Sequence, residues 1–547
     1  MRTSTAVMET ERGGFSVRAV AIGAAVGSVA AVSNVYVSLK TGWCLPVMST
    51  AAVVGLAVAR GQGRSLGARE AAVLSSLASA AGYMAGGGNV AALPAFVMLG
   101  GSAPSPVAMA AWFAGIALLG TFIAPLLGRG VVDDLPFPTA TATARIVQTL
   151  HREGDHTRAR EVRSLWSAAI VSGSFALVRA LARLPSTLPF PGRAGVYTLG
   201  LDTSLLLVGA GGLMTVRTAL STLLGSLLTY GIAAPWLVAR GAIAEPSYRE
   251  IVRFMIWPAA SLLVTCAIVQ LALDLPRILR RRRERGGATN VSADLVAPCL
   301  LGAFVVLLEW LLFGISLGRA VLSIPVAAAM AYVAGRSMGE TDVVPTKALA
   351  PLAQLAFSGP SPAMVAPAMA PNVTSGVALH AADTLGSLKL STILGTPPRE
   401  SLWARAVGCI VGSAVAVMAY RAVVPDALAL PTSELPAPAV LVWKSVLELV
   451  ASGTMPATTR CAIAVGAALG IALALLERRL PARVPSGMGL ATGMVLPGSS
   501  GLAIALGGLL RALLDRRRAA ASATASSCGI VAGESLVALL LQVLASL

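Results

Sequence analysis

Charge is scarce in this chain. Only 12% of its 547 residues are Asp, Glu, Lys or Arg, against roughly 25% in soluble proteins. Aromatic residues make up 5%, and histidine occurs three times. The six cysteines (Cys44, Cys266, Cys299, Cys409, Cys461 and Cys528) form no CxxC pair and lie in or beside apolar stretches. That excludes a disulfide framework or a zinc site and makes them small hydrophobes. The histidines offer no metal-ligand spacing, and no cofactor is expected. No Gx4GK[ST] phosphate loop occurs, and no polar stretch has the length of a nucleotide-binding domain, so an ion gradient is a better driving force than ATP. The polar start MRTSTAVMETERGGFSVR carries no evident cleavable signal.

What is abundant is apolar surface. Ala, Val, Leu and other hydrophobic residues make up 56% of the chain, and the mean hydropathy is +0.78. A soluble protein of this length could not hide so much, so the excess faces lipid, where a spanning helix takes about 20 apolar residues. The net charge of +17 comes from arginines in short loops between apolar runs, as the positive-inside rule expects. No basic face with interleaved aromatics appears, which argues against nucleic acid.

Apolar runs bounded by charge, Pro or Gly lie near 16–37, 43–60, 71–99, 106–128, 164–184, 201–216, 218–239 and 252–276, and then near 293–317, 319–336, 348–382, 403–424, 440–453, 459–476, 484–497, 500–514 and 527–546. The fold class is therefore all-α: a polytopic membrane protein of about 16 crossings, some of them broken or re-entrant. Basic clusters at Arg60, Arg64 and Arg69, in a long loop after the fourth span (Arg145, Arg152, Arg158, Arg160 and Arg163), at Arg277 and Arg280 to Arg283, and at Arg516 to Arg518 can all be cytoplasmic with the N terminus inside, in a cell inner membrane. The run RILRRRRERGGATN divides residues 1–285 from 286–547. The two halves echo each other: SLKTGWCLP (38–46) resembles SMGETDVVP (337–345), and GGLMTVRTALSTLLGSLL (211–228) resembles GMVLPGSSGLAIALGGLL (493–510). Such repeats build many secondary transporters, with the substrate site at their interface. The sequence allows a homodimer without requiring one.

Three apolar segments are interrupted. Gly86, Gly87, Gly88 and Asn89 precede Pro94; Pro360, Pro362, Pro367, Pro371 and Asn372 crowd a second; Pro497, Gly498, Ser499, Ser500 and Gly501 split a third. Helix hydrogen bonds fail at such places, either as kinks or to present backbone groups to a substrate. With Lys40 and Lys389 they are expected to line one central cavity. Ionisable residues inside apolar runs are costly and face a cavity or a partner. Glu309, in VVLLEWLLFG, is the most deeply placed, as a proton-binding carboxylate or as a structural group with a hydroxyl or backbone donor. Glu70 and Glu534 are the other proton candidates, with a surface salt bridge as the rival for Glu70. Asp202 either meets substrate or caps a helix, and Asp383 and Lys389 either meet substrate or pair with each other.

These residues resemble a known family. NVYVSLKTGW (34–43), Glu70 with ASAAGYMAGGGNVAALPAFVMLG (78–100), DLPFPTATATARIV (134–147), DTSLLLVGAGGLMTVRTALSTLLG (202–225), HAADTLGSLKLSTILGTPPRE (380–400) and CGIVAGESLVALLL (528–541) look, in order, like motifs of the oligopeptide transporter family, which includes the yellow-stripe-like metal-chelate carriers. Two departures concern substrate more than fold. Where the family commonly has Asp-Leu-Lys-Thr-Gly, this chain has Ser387, Leu388, Lys389, Leu390 and Ser391, without the second acidic residue; and Thr139, Ala140 and Thr141 stand where a Gly often follows the second Pro. The resemblance implies uptake of short peptides or metal–chelate complexes by proton symport. The site set is then Lys40, Asn89, Pro94, Asp202, Asn372, Asp383 and Lys389 for substrate, with Glu70, Glu309 and Glu534 for protons.

The rival readings are a channel, a carrier of another small solute and, less favoured, an intramembrane enzyme. A channel should show a repeated polar ring along a pore, and none is visible. His380 and Asp383 stand one helical turn apart, but no GxSxG nucleophile accompanies them.

Overall fold

The computed structural model describes residues 13–541 except 42–43, 45–46, 62–65, 129–134, 152–155, 186, 285–290, 345, 358–364, 431–436, 452–454, 481–482, 517–522, 524–525, 528, 535 and 538–539. The N-terminal half supplies α1 (Val17–Thr41), α2 (Met48–Gly61), α3 (Ala68–Gly82), α4 (Asn89–Met98), α5 (Pro106–Gly128), α6 (Pro138–His151) and α7 (His156–Leu181). A two-stranded antiparallel ribbon follows, β1 (Thr187–Pro189) with β2 (Gly200–Asp202), enclosing the single turn α8 (Arg193–Val196). Then come α9 (Leu205–Leu213), α10 (Val216–Ser226), α11 (Ala234–Ala239) and α12 (Tyr248–Glu284). The other half holds α13 (Val291–Phe313), α14 (Leu317–Thr341), α15 (Thr346–Phe357), α16 (Val365–Leu394), α17 (Pro398–Val423), α18 (Pro438–Ala451), α19 (Ala457–Arg479), α20 (Gly487–Val495) and α21 (Gly498–Arg516).

The protein is an all-α polytopic membrane protein. Among the described residues nine helices are long and apolar enough to cross a membrane, and two shorter apolar ones, Met48–Ala59 and Gly498–Leu514, stand beside them. The expected total of about 16 includes short and broken helices that the nine leave out. One expectation is corrected outright. The stretch after the fourth span is not a long loop: it contains α6 and the start of α7, so Arg145 projects from a helix. The alternating Thr and Ala of PTATATARIV hid α6, since that run is too short and too polar to read as a span.

Two helices form the centre. α3 and α16 pack on each other and are ringed by α1, α5, α14 and α17. Small residues permit this closeness, as van der Waals contact rather than the hydrophobic effect holds helices together in lipid. A Cβ on Gly408 or Gly412 of α17 would sit 2.3 or 2.4 Å from the α3 backbone at Leu77 or Ala81, and one on Gly27 of α1 would sit 2.9 Å from Ala78. Beside this core, α12 lies along α19, and α9 and α10 cross α20 and α21.

That crossing is reciprocal. A Cβ on Gly211 would lie 2.0 Å from the carbonyl oxygen of Ile504, and one on Gly493 would lie 2.0 Å from that of Thr222. A Cβ on Gly225 would lie 2.1 Å from the oxygen of Leu490, and one on Gly507 would lie 1.9 Å from that of Val208. Each residue's counterpart is 282 positions away: 211 and 493, 222 and 504, 225 and 507, 208 and 490. The offset is the one at which the two glycine-rich stretches resemble each other.

The interruptions take different forms. After α3 the chain makes a 3-10 turn at Tyr83–Ala85, then a turn in which Gly87 (φ 61°) and Gly88 (φ 87°) adopt the left-handed region. α4 restarts at Asn89, and Pro94 is buried inside it. Residues 360 and 362 lie outside the described residues, but Pro367, Pro371 and Asn372 belong to α16, which continues through Pro371 without a break. Between α20 and α21, Leu496 is extended and the helix resumes at Gly498.

Candidate functional site

α16 carries a polar stripe through the protein's interior. Asn372, Ser375, His380, Asp383, Ser387 and Ser391 recur at three-, four- or five-residue spacing, and each is at most 1% exposed. Residues three and four apart share a helix face, so these six line one side across five turns.

At the N-terminal end of the stripe the two asparagines meet. Asn372 donates through Nδ2 to Asn89 Oδ1 (3.0 Å) and to the carbonyl of Gly87 (3.1 Å), while its Oδ1 accepts from Trp112 Nε1 of α5 (2.8 Å). Asn89 Nδ2 donates to Met84 O (2.8 Å), and Ser375 Oγ donates to Gly87 O (2.7 Å). Side chains thus satisfy two carbonyls of the broken segment between α3 and α4, those of α16 at Gly87 and Asn89 itself at Met84, as the low-dielectric interior requires. A Cβ on Gly87 would sit 2.5 Å from Gly376 Cα, so the turn lies directly on α16.

Midway along the stripe lies an ion pair. Arg405 Nη1 of α17 is 2.7 Å from Asp383 Oδ2, with the two side chains 0% and 2% exposed. Ser79 Oγ of α3 donates to both carboxylate oxygens (2.9 and 3.0 Å), and Arg405 Nη1 donates to Ser387 Oγ (2.9 Å). Three helices are pinned together here. One turn earlier His380 is fully buried with neither ring nitrogen hydrogen-bonded, and Arg405 Nε also has no partner. Near the other end Ser391 and Ser401 share a hydrogen bond (2.5 Å), and Ser76 donates to Ser401 (3.4 Å). The charged and titratable neighbours of the half-buried Tyr83 phenol are Asp383, Asp342, Cys44 and Arg405. Asp342, just past α14, accepts from the backbone N–H (3.0 Å) and hydroxyl of Thr139.

The residues singled out in sequence fall in several places. Asn89 of α4 and Asn372 of α16 are brought together, and Asp383 lies about three turns further along α16. Pro94 lies a turn further into α4. Lys40 is in the last turn of α1, its side chain outside the described residues. Lys389 is half-buried on α16, roughly 240° around the helix from Asp383, and Asp383 pairs with Arg405 instead. Asp202 ends β2, where its Oδ1 accepts from Ser204 N (2.9 Å) and its Oδ2 from Ser500 Oγ (3.0 Å), while Ser204 is the cap of α9. The break at 497–501 therefore lies against 198–202, with Gly498 N donating to Thr198 Oγ1 (3.0 Å), rather than beside the other two. Glu70, in the first turn of α3, caps its N-terminus by accepting from Gly67 N (2.9 Å) and also accepts from Ser16 Oγ (2.5 Å). Glu534 is paired with Arg179 (3.1 Å) and accepts from Leu206 N (2.8 Å). Glu309 is 0% exposed; Oε2 accepts from Ser323 Oγ (2.9 Å) and Oε1 has no partner.

Sequence reasoning missed Arg405, which passes for the basic flank of a span although its run RESLWARAVGC already belongs to one helix. It also missed a second charge network. Arg217 of α10 bridges to Glu477 of α19 (3.3 Å) and donates through Nε to Val484 O (2.7 Å). Glu477 further accepts from Gln270 Nε2 of α12 (2.8 Å) and Gly487 N (2.5 Å). Glu340 of α14 accepts from Arg336 (3.4 Å) and Ser486 Oγ (2.8 Å). Five helices converge on this point, and the buried Cys266 thiol lies against Gly487 beneath it. Hydrogen bonds to charged groups contribute about 1.5–3 kcal/mol each. Breaking the pair by Glu477→Gln or Arg217→Gln is therefore expected to raise maleimide labelling of Cys266 about tenfold or more through local opening. This is measured in a background where the other five cysteines are serine, and an unchanged rate in folded variants would contradict it.

Comparison with known proteins is consistent with this architecture. The family model for OPT oligopeptide transporter proteins matches residues 15–273 and 277–545. A probable metal-nicotianamine transporter of Oryza sativa subsp. japonica is 23% identical over 495 residues, covering 78% of this chain and 72% of that protein. Matched along nearly its whole length, the chain belongs to the OPT oligopeptide transporter family.

Proposed function

We propose that this membrane transporter is a secondary carrier that moves short peptides or metal–chelate complexes into the cell together with protons. The observation that carries the reading is the buried polar stripe of α16, with its Asp383–Arg405 pair, packed on the broken α3–α4 segment. Polar and ionic groups at this depth are expensive and are kept where a solute or ion must pass. Broken helices lying beside them supply backbone dipoles to a bound molecule. The chain is placed in an inner membrane with its N terminus in the cytoplasm, and its halves, 1–285 and 286–547, are read as a duplicated unit. The reciprocal contacts of α9 and α10 with α20 and α21 support that duplication.

Of the three candidate proton carriers, Glu309 fits best. Glu534 is held by Arg179, and Glu70 serves as a helix cap. Glu309 has one hydroxyl donor and a second oxygen without a partner.

The test is uptake into proteoliposomes under an imposed pH gradient, with labelled di- to tetrapeptides and ferric chelates offered side by side. One class should accumulate, and a protonophore should abolish the accumulation. Uptake that persists unchanged with the protonophore would favour a channel or uniporter. Glu309→Gln is expected to lower gradient-driven accumulation about tenfold or more while counterflow exchange continues, since only the protonation step is removed. Accumulation at the wild-type level would rule Glu309 out as the carrier.

A further inference from the structure

His380 and Arg405 leave three buried nitrogens unmet. The imidazole is 0% exposed and neither of its nitrogens finds a partner, and Arg405 Nε is likewise unpaired although the residue is fully buried. Each such group costs about 1–3 kcal/mol, and buried orphans are rare enough in native proteins to need a cause. Asp383 is the anion at this level, and it accepts from Arg405 and Ser79. His380 and Asp383 are three residues apart on α16, so their Cβ atoms are about 5–6 Å apart on one face, a separation that an imidazole side chain can span.

The groups surrounding the ring are few. α17 brings Arg405, which also donates to the His380 carbonyl (3.5 Å), and Cys409, whose thiol meets Thr121 of α5. α5 brings Gly120, where a Cβ would lie 2.9 Å from that of His380. α3 brings Ser79 and, further on, Tyr83, and α14 packs Tyr332 on the same core. Among these groups the cation is Arg405 and the anion is Asp383.

Resting on the symport reading above, and adding to Glu309 a second proton site, we propose that Asp383 has two exchangeable cationic partners: the Arg405 guanidinium, as in this structure, and the protonated imidazole of His380. A proton binds a ring nitrogen of His380, the carboxylate turns from Arg405 to the new N–H, and the guanidinium is released toward an anionic group on the solute. The charges balance. The resting set of Asp383, Arg405 and neutral His380 sums to zero. One added proton and one carboxylate or anionic chelate return it to zero, so the exchange links one proton to one anionic group without leaving a net charge in the low-dielectric interior. His380 is thus a positioning residue that acts on the solute through Asp383 and Arg405.

The experiment needs no transport, so it fails or succeeds independently of the symport reading. The chain has three histidines, His151, His156 and His380, and 15N-histidine labelling resolves them by NMR in detergent or nanodiscs. Arg405→Gln deprives Asp383 of its present partner, and His380 should take its place. At about pH 6.5 the ratio of protonated to neutral His380 is expected to rise about 100-fold over wild type, with a direct N–H to carboxylate bond. The double variant Asp383→Asn with Arg405→Gln has lost the same guanidinium but has no carboxylate to receive the ring, so its rise, from the lost repulsion alone, should stay at least about tenfold below that of Arg405→Gln. If Arg405→Gln does not fold, Arg405→Lys is read in the same way, because the shorter ammonium lacks the planar fork that meets Asp383 and Ser387 together; a rise of about threefold is expected there. A His380 ratio that stays at the wild-type value in the variant that folds overturns the proposal, and so does a rise in the double variant as large as in the single one.

Discussion

Arg405→Gln is expected to destabilise the folded protein by about 3–5 kcal/mol at neutral pH, because it takes the guanidinium from the buried Asp383 carboxylate, and His380, which must first take up a proton, replaces it only in part. Asp383→Asn should cost a similar amount for the mirror-image reason, since the guanidinium is 0% exposed and its remaining acceptors are Ser387 Oγ and a carbonyl at 3.5 Å. Removing both charges is a different matter. The asymmetry between breaking a buried pair and replacing it predicts that the double variant recovers most of the lost stability while transport stays abolished. Thermal unfolding followed by fluorescence-detected size exclusion, together with uptake, separates the two roles. A single variant that melts with the wild type would show that the pair is not charged as drawn, and a double variant that transports normally would remove it from the solute pathway.

The second large effect is steric. Gly507→Ala places a Cβ 1.9 Å from the carbonyl oxygen of Val208, and Gly225→Ala places one 2.1 Å from that of Leu490. The opposing atoms are backbone, which cannot rotate aside. Carbon and oxygen in contact prefer about 3.3–3.6 Å, so the helices must separate by more than 1 Å, roughly speaking, over a full turn. Overpacking of this kind costs about 1–3 kcal/mol or more. Both sites belong to one crossing, so their effects are not expected to add as independent ones would. After Gly507→Ala has opened the crossing, Gly225→Ala should do less further harm. The check is the melting temperature of the two singles and the double. A Gly507→Ala protein as stable as wild type would mean that the helices are held further apart than drawn.

How much of this was legible in sequence depends on whether the signal was local. The 106–128 span is read from its apolar run to the residue, because α5 is long, uncharged and bounded by prolines and a polar loop. Asn89 and Asn372 stand out as amides in apolar runs beside glycine and proline clusters. Their mutual hydrogen bond joins positions 283 residues apart, and nothing local announces it. Asp383 was singled out, but its partner was not, since Arg405 sits two turns into α17 among the basic residues that normally mark a span's edge. The Arg217–Glu477 network was hidden for the same reason: each member lies near a helix end, where charge is unremarked, and only the fold turns those ends toward one point. α6 was passed over because Thr and Ala alternate there, a pattern that has neither the length nor the hydropathy of a span.

The reciprocal glycine crossing also bears on how the chain is made. α9 and α10 leave the ribosome well before α20 and α21 exist, and domains are completed in synthesis order. Until the last helices arrive, the surfaces around Gly211 and Gly225 have no backbone to lie against. The first half is therefore inserted before it is folded, and its final packing waits for the second. Two separately translated halves, joined only in the bilayer, should assemble through this crossing, and neither should persist alone.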